Sequence, residues 1–302
     1  MQHVLVLICD PERPALDETR ARAVAAALRA AGARVDAAVW LAAGVACDLP
    51  FSAIDPAVAQ DAASAALEGA PIDAVAVPTA GRRKRLLVCD MESTIIENEM
   101  LDELADFLGL RARVAAITAR AMNGEIDFQA ALAERVGLLK GLPVSTLDEA
   151  ATRIRVMPGA TALIATMRLG GAYCALVSGG FTHFTRLVRG RLGFDLDAAN
   201  TLEVAGDTLA GTVAAPVLGK EAKLATLALL CEQKSIAVAD SMAVGDGAND
   251  LPMLQGAGLG VAFRAKPAVA AAVGARVDHG DLTALLYLQG YRRSDFVTRS
   301  PT

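Results

Sequence analysis

Three short apolar runs, each closed by acidic, hydroxyl or glycine residues, constrain this chain more than any other feature. Leu86-Leu87-Val88-Cys89 leads into Asp90, Ala172 to Val177 into Ser178-Gly179-Gly180, and Met242-Ala243-Val244 into Gly245-Asp246. Short runs that are apolar throughout, separated by helical stretches, suit strands buried on both faces, and hence a parallel sheet with crossover helices. In such open α/β sheets ligands sit outside the carboxyl ends of the strands, so the closing polar residues are expected to share one edge. From about residue 95 to 155 the pattern is almost wholly helical, with apolar spacing in Met100–Leu108, Val114–Met122 and Phe128–Leu139. This predicts a helical cap inserted after the first core strand. Leu202 to Val213, with Gly206-Asp207 at its centre, reads as a β-hairpin.

The first eighty residues follow another rhythm. Strands are expected at His3–Ile8, Arg34–Trp40, Ala46–Phe51 and Ile72–Val77, and helices at Asp17–Ala31, ending near Gly32, and Ala57–Leu67. The β-α-β-β-α-β order is that of a small ferredoxin-like α+β domain. Pro78 to Arg85 carries a breaker, small residues and the cations Arg82, Arg83, Lys84 and Arg85, which suits an exposed, solvated linker. The expectation is an α/β chain with domains at 1–80 and 81–302, the cap lying at about 95–155.

Composition narrows the function. Hydrophobic residues reach 54%, yet much of this is alanine, and charges interrupt every apolar stretch before it could span a bilayer. The opening MQHVLVLICDPE has no basic segment followed by a long apolar core, so a soluble, cytoplasmic protein is expected. Five scattered cysteines without CxxC spacing argue against a disulfide framework and against a zinc site. A net charge of -5 offers no general attraction for nucleic acid or an anionic membrane, which leaves small-molecule chemistry.

Asp90-Met91-Glu92-Ser93-Thr94 places two carboxylates two residues apart just after a buried strand. One carboxylate can open a phosphate ester by forming an acyl-phosphate, and the other can protonate the leaving alkoxide and later deprotonate water. Asp90 is the candidate nucleophile and Glu92 the candidate acid and base. A lone pattern of this kind is equally at home as a helix N-cap. Gly245-Asp246-Gly247-Ala248-Asn249-Asp250 adds carboxylates after another strand, and oxygen ligands of this type suit Mg²⁺ together with a substrate phosphate. Asp90 and Asp246 are the expected metal pair, with Asn249 and Asp250 holding the loop. Ser178 and the unshielded backbone of Gly179 and Gly180 could hold phosphoryl oxygens, and Lys223 could add a positive charge.

This series resembles the four motifs of the haloacid-dehalogenase-like phosphatases, from about Leu86 to Gln289. Ile95 to Glu99, Phe128 to Lys140, Val177 to Phe181 and Val244 to Asp250 are similar to the branch of that family that hydrolyses phosphoserine. The resemblance implies a Rossmann-like core under a helical cap, a phospho-aspartyl intermediate on Asp90, and a place at the last step of serine biosynthesis. It implies Glu92 as acid/base, with its backbone carbonyl a further metal ligand, and Thr94 and Asp250 supporting the site from behind. Ser178, Gly179, Gly180, Asn249 and Lys223 would meet the phosphate, Glu99 and Arg135 would grip the substrate ammonium and carboxylate, and Met122 and Phe128 would close over it. The family usually carries aspartate where Glu92 stands. The first domain resembles ACT regulatory domains, which implies a homodimer, but Ala15 stands where an ACT ligand loop commonly has glycine. Action on another small phosphomonoester, by hydrolysis or phosphotransfer, and a catalytically silent regulatory role are the other readings.

Overall fold

The computed structural model of the protein describes residues 1–122 and 125–297. The chain opens with β1 (His3–Cys9), α1 (Glu18–Ala30), β2 (Arg34–Val35), β3 (Val39–Ala42), β4 (Ala46–Ser52), α2 (Pro56–Leu67) and β5 (Ile72–Pro78). Asp17 caps α1 by accepting the Arg20 N–H at 2.7 Å, and Asp55 caps α2 by accepting that of Ala57 at 2.8 Å. Each acidic side chain satisfies an N–H that the first helical turn leaves unpaired. The strands pair antiparallel in the order β2-β4-β1-β5, with β3 also on β4. This is the ferredoxin-like order, with one difference from the sequence expectation: residues 34–40 do not form a single strand. Val35 lies opposite Phe51 and Val39 opposite Asp48, so one extra residue is taken up there. Pro50, at the break, has no N–H to give to its neighbour, and the ladder opens beside it.

Alternation along β1 sends Leu5, Leu7 and Cys9 toward α1 and α2, and Val4, Val6 and Ile8 to the opposite face. That second face joins Leu282, Leu285, Leu286 and Tyr287 in the main core, so it is closed to solvent and to a second subunit. Two polar clasps fasten the contact. The buried Asp73 carboxylate accepts the N–H groups of Asp278 at 2.8 Å, His279 at 3.1 Å and Gly280 at 2.8 Å. Arg82 pairs with Asp48 at 2.6 Å and donates to the carbonyls of Tyr287 at 3.0 Å and Leu288 at 3.1 Å. The exposed linker expected at 78–85 holds for residues 78–81, 83 and 85, but Arg82 is a partly buried cross-brace, and Lys84 donates to the Ala239 carbonyl at 2.7 Å. Their partners lie far away in sequence, where local composition gives no sign of them.

The rest of the chain runs β6 (Leu86–Cys89), α3 (Met100–Phe107), α4 (Arg111–Met122), α5 (Phe128–Gly137), α6 (Ser145–Ala151), α7 (Ala160–Leu169), β7 (Tyr173–Phe181) and α8 (Thr182–Leu192). It continues with β8 (Leu196–Asn200), β9 (Leu202–Ala205), β10 (Thr208–Val213), α9 (Lys220–Gln233), β11 (Ser241–Gly245), α10 (Leu251–Gly256), β12 (Leu259–Phe263), α11 (Pro267–Ala272), β13 (Ala275–Val277) and α12 (Ala284–Leu288). Six strands form a parallel sheet in the order β13-β12-β11-β6-β7-β8. Cys89 at the end of β6 lies level with Leu176 of β7 and Val244 of β11, so the polar residues that follow all emerge at one edge.

β7 runs past Val177, where the sequence suggested its end. Val177 pairs with Ala198 and Phe181 with Asn200, so two extra residues lift Ser178-Gly179-Gly180 off the ladder as a bulge. Helices α3 to α6 form the cap. Its two connections to the core pair with each other: Ile96 bridges Val156, and Met157 donates to the Ile95 carbonyl at 2.9 Å. The β9–β10 hairpin straps the far side of the cap, where Leu209 donates to the Leu142 carbonyl at 2.8 Å and accepts from Gly141 at 2.9 Å. Among the described residues, no helix is long and apolar enough to cross a membrane.

Candidate active site

Asp90 follows β6 and donates its own N–H to the Val244 carbonyl at 3.0 Å, which sets it beside the end of β11. Lys223, one turn into α9 and buried, places Nζ 2.6 Å from Asp90 Oδ1 and 2.6 Å from Asp250 Oδ1. The other oxygen of Asp250 accepts the Gly247 N–H at 2.9 Å, so both are engaged by the protein. Asp90 Oδ2 has no protein hydrogen bond among the described residues. Asp246 lies in the same cluster, with carboxylate oxygens of Asp90, Asp246 and Asp250 all within 4.8 Å of one another. Thr94 Oγ1 stands 3.5 Å from Asp246 Oδ1, and Lys266 Nζ 3.7 Å from Oδ2.

Glu92 reaches in the other direction. Its Oε1 accepts the Met100 N–H at 2.8 Å, and so caps α3, whose own N-cap residue, Glu99, contributes no side-chain bond. Its Oε2 lies where only glycine leaves room, since a Cβ on Gly180 would come within 2.9 Å of it. Glu92 thus bridges core and cap. The preceding turn bends through Ser93, whose φ of 54° is rare for a residue with a side chain, and Ser93 Oγ donates to Glu99 Oε1 at 2.7 Å.

Burial, then the nearby Asp250 charge, pushes Asp90 up to about 7, although Lys223 opposes the shift. Burial, then Glu99, raises Glu92 to about 8, and burial raises Asp246 to about 6 against the Lys266 charge. Burial works to lower the Lys223 pKa, but Asp90 and Asp250 outweigh it and hold the ammonium protonated. Three crowded carboxylates share one buried cation, so the cluster carries more negative charge than its surroundings neutralise. An all-oxygen donor set with that excess fits a hard divalent cation.

The remaining expected residues are placed unevenly. Ser178 is buried with its Oγ accepting from Gly180 N at 2.9 Å, and Gly179 turns its carbonyl toward Asn200. Asn249 packs over Gly247. Arg135 on α5 is half-buried, donating to the Ala131 carbonyl at 3.2 Å and to Thr118 Oγ1 at 3.4 Å. Burial lowers its pKa from the ordinary arginine value, against the fields of Glu92, Asp102 and Glu99. Glu99 is exposed at the cap entrance. The side chains of Met122 and Phe128 lie outside the described residues. Sequence reasoning missed Asn200 and Lys266. Both follow or end strands at the same sheet edge, a signal that strand assignment of 196–200 and 259–263 would have supplied.

Residues 87–255 match the haloacid dehalogenase-like hydrolase family. The phosphoserine phosphatase SerB2 of Mycobacterium tuberculosis is 40% identical over 216 residues, which cover 72% of this chain and 53% of the relative; the chain therefore spans about half of that relative's length. A solved phospho-aspartyl intermediate analogue of phosphoserine phosphatase superposes with a TM-score of 0.64 at 37% identity, covering 68% of this chain and 98% of that one. The crystal structure of a haloacid dehalogenase family hydrolase from Salmonella enterica serovar Typhi covers 95% of this chain and 98% of its own, with a TM-score of 0.84 and 28% identity. The matched segment spans more than half of the chain, from β6 to α10, and the chain belongs to the haloacid dehalogenase-like hydrolase family.

Proposed function

We propose that this chain is a magnesium-dependent phosphoserine phosphatase that works through a phospho-aspartyl intermediate on Asp90. The observation that carries the reading is the Asp90 carboxylate itself: Oδ1 is held by Lys223, Oδ2 has no protein hydrogen bond among the described residues, and a carboxylate oxygen of Asp90 lies within 4.8 Å of one of Asp246. Oδ2 attacks the phosphorus of O-phospho-L-serine, and the bond to the serine oxygen breaks. Glu92, whose raised pKa keeps the proton on it near neutrality, delivers that proton to the leaving alkoxide. The resulting Glu92 carboxylate then takes a proton from water as water attacks the phospho-aspartate, which releases phosphate and restores both side chains. Ser178 and the backbone of Gly179 and Gly180 hold the phosphoryl oxygens, and Lys223 offsets charge on the transferring group. A Mg²⁺ ion held by Asp90, Asp246 and the residue-92 carbonyl would offset repulsion between the nucleophile and the phosphate dianion.

The cap supplies selectivity in this reading, because Arg135 and Glu99 carry the charges that complement a substrate carboxylate and ammonium. The match to proteins named for phosphoserine supports that substrate. The five cysteines, all free and buried, fit a reducing cytoplasm, and the reaction fits the last step of serine synthesis. The test is phosphate release from phosphoserine with and without Mg²⁺, beside the Asp90→Asn variant. Release should require the metal and vanish in the variant; full turnover in excess chelator would refute the reading.

A further inference from the structure

Asn200 ends β8 at the functional edge of the sheet and is 2% exposed. Its amide is spent wholly on main chain: Nδ2 donates to the Gly179 carbonyl at 2.9 Å and to the Leu218 carbonyl at 3.3 Å, while Oδ1 accepts the Leu218 N–H at 2.7 Å. The first bond lands on the bulge of β7, where the ladder between β7 and β8 is interrupted. The other two land immediately before Gly219, the residue that starts the helix bearing Lys223. One side chain thus ties together the two elements that would hold a phosphoryl group. A trans peptide plane points its carbonyl and the following N–H in opposite directions. Holding the Gly179 carbonyl therefore fixes the direction of the Gly180 N–H, which donates to Ser178 Oγ at 2.9 Å, so Asn200 and Ser178 together restrain a Gly-Gly segment that could otherwise adopt several conformations.

We propose that Asn200 is a positioning residue for the phosphate cradle, locking the Gly179–Gly180 peptide and the start of α9 in one geometry. The proposal rests on the phosphatase reading above, in which Ser178-Gly179-Gly180 and Lys223 meet the phosphoryl group. Asn200→Asp tests it, because that variant keeps the size and the acceptor for Leu218 N–H but loses the donor to Gly179. Inhibition of phosphoserine turnover by inorganic phosphate should weaken by about 10- to 100-fold, with a similar fall in kcat, as expected for a small displacement in a catalytic constellation. Inhibition by L-serine, which the cap residues would grip, should change little; the melting temperature should fall, since the buried carbonyls lose their donor, while the variant stays folded at the assay temperature. Asn200→Ala should behave alike. An unchanged phosphate inhibition constant in a folded variant would overturn the proposal, and so would failure of both variants to fold, which would make Asn200 purely structural. Ser178→Ala separates the two levels. If that variant also leaves phosphate inhibition untouched, the cradle reading itself fails; if it weakens inhibition while the Asn200 variants do not, only the role of Asn200 falls.

Discussion

Glu92 shows how a longer carboxylate arm is housed. One oxygen caps α3, and the other lies over Gly180. Glu92→Gln should lower phosphoserine turnover by roughly 10²- to 10⁴-fold, the usual worth of a positioned acid-base group, while Glu92→Asp retains measurable activity. Gly180→Ala should cost turnover in the native background, because the new methyl meets Glu92, and the loss should be smaller when Glu92→Asp is also present. Equal losses in both backgrounds, measured by steady-state kinetics, would show that the two positions are independent. The crowded carboxylates carry a second expectation. Acidic groups whose folded pKa lies above the ordinary value stabilise the fold while protonated, and lose that contribution as pH rises through the folded value. With Asp246 at about 6, Asp90 at about 7 and Glu92 at about 8, melting in excess chelator should drop as pH climbs from the ordinary carboxylate range, where the unfolded chain ionises, and level off above about 8. Mg²⁺ should restore stability by a margin that widens with pH, and a margin that narrows would contradict the charge argument. Asp90, Asp246 and Lys223 were legible in the sequence because each sits at a fixed offset from an apolar run or a helix start. The capping role of Glu92 was not, since its meeting with Met100 depends on how the intervening loop folds.

Strands β6, β7 and β11 were readable because burial on both faces leaves an unbroken apolar run, and the cap helices because one apolar stripe repeats along them. Strands β8, β12 and β13 were not singled out. Leu196 to Asn200 mixes polar and small residues, being only partly buried, and Ala275–Val277 is three residues long. Nor could sequence show that the β9–β10 hairpin adds its hydrogen bonds to residues 141–144, since that pairing joins two insertions far apart in the chain. The strap lies just beyond α5, the helix that carries Arg135. Arg135→Ala should weaken turnover of phosphoserine far more than that of a phosphate monoester lacking the carboxylate. Equal losses on both, compared as kcat/KM, would make Arg135 a structural residue of the cap.

At the scale of the molecule, the first sheet and the parallel sheet share one core, braced by Arg82 and Asp73. Arg82→Ala leaves Asp48 buried without its partner, and should destabilise the protein by about 3–5 kcal/mol in urea unfolding. A change below about 0.5 kcal/mol would place the pair among ordinary surface contacts. The first eighty residues look portable in sequence, a self-contained pattern ahead of a charged segment. The apolar face shared by Val4, Val6 and Ile8 with Leu282, Leu285, Leu286 and Tyr287 makes them the opposite. A gene cut at residue 80 would deliver residues 81–302 with a wide greasy scar, and that remainder should sediment as aggregate unless the scar is recoded with polar residues. Whoever wishes to graft this parallel sheet and its cap onto another scaffold has to carry the leading sheet along with it.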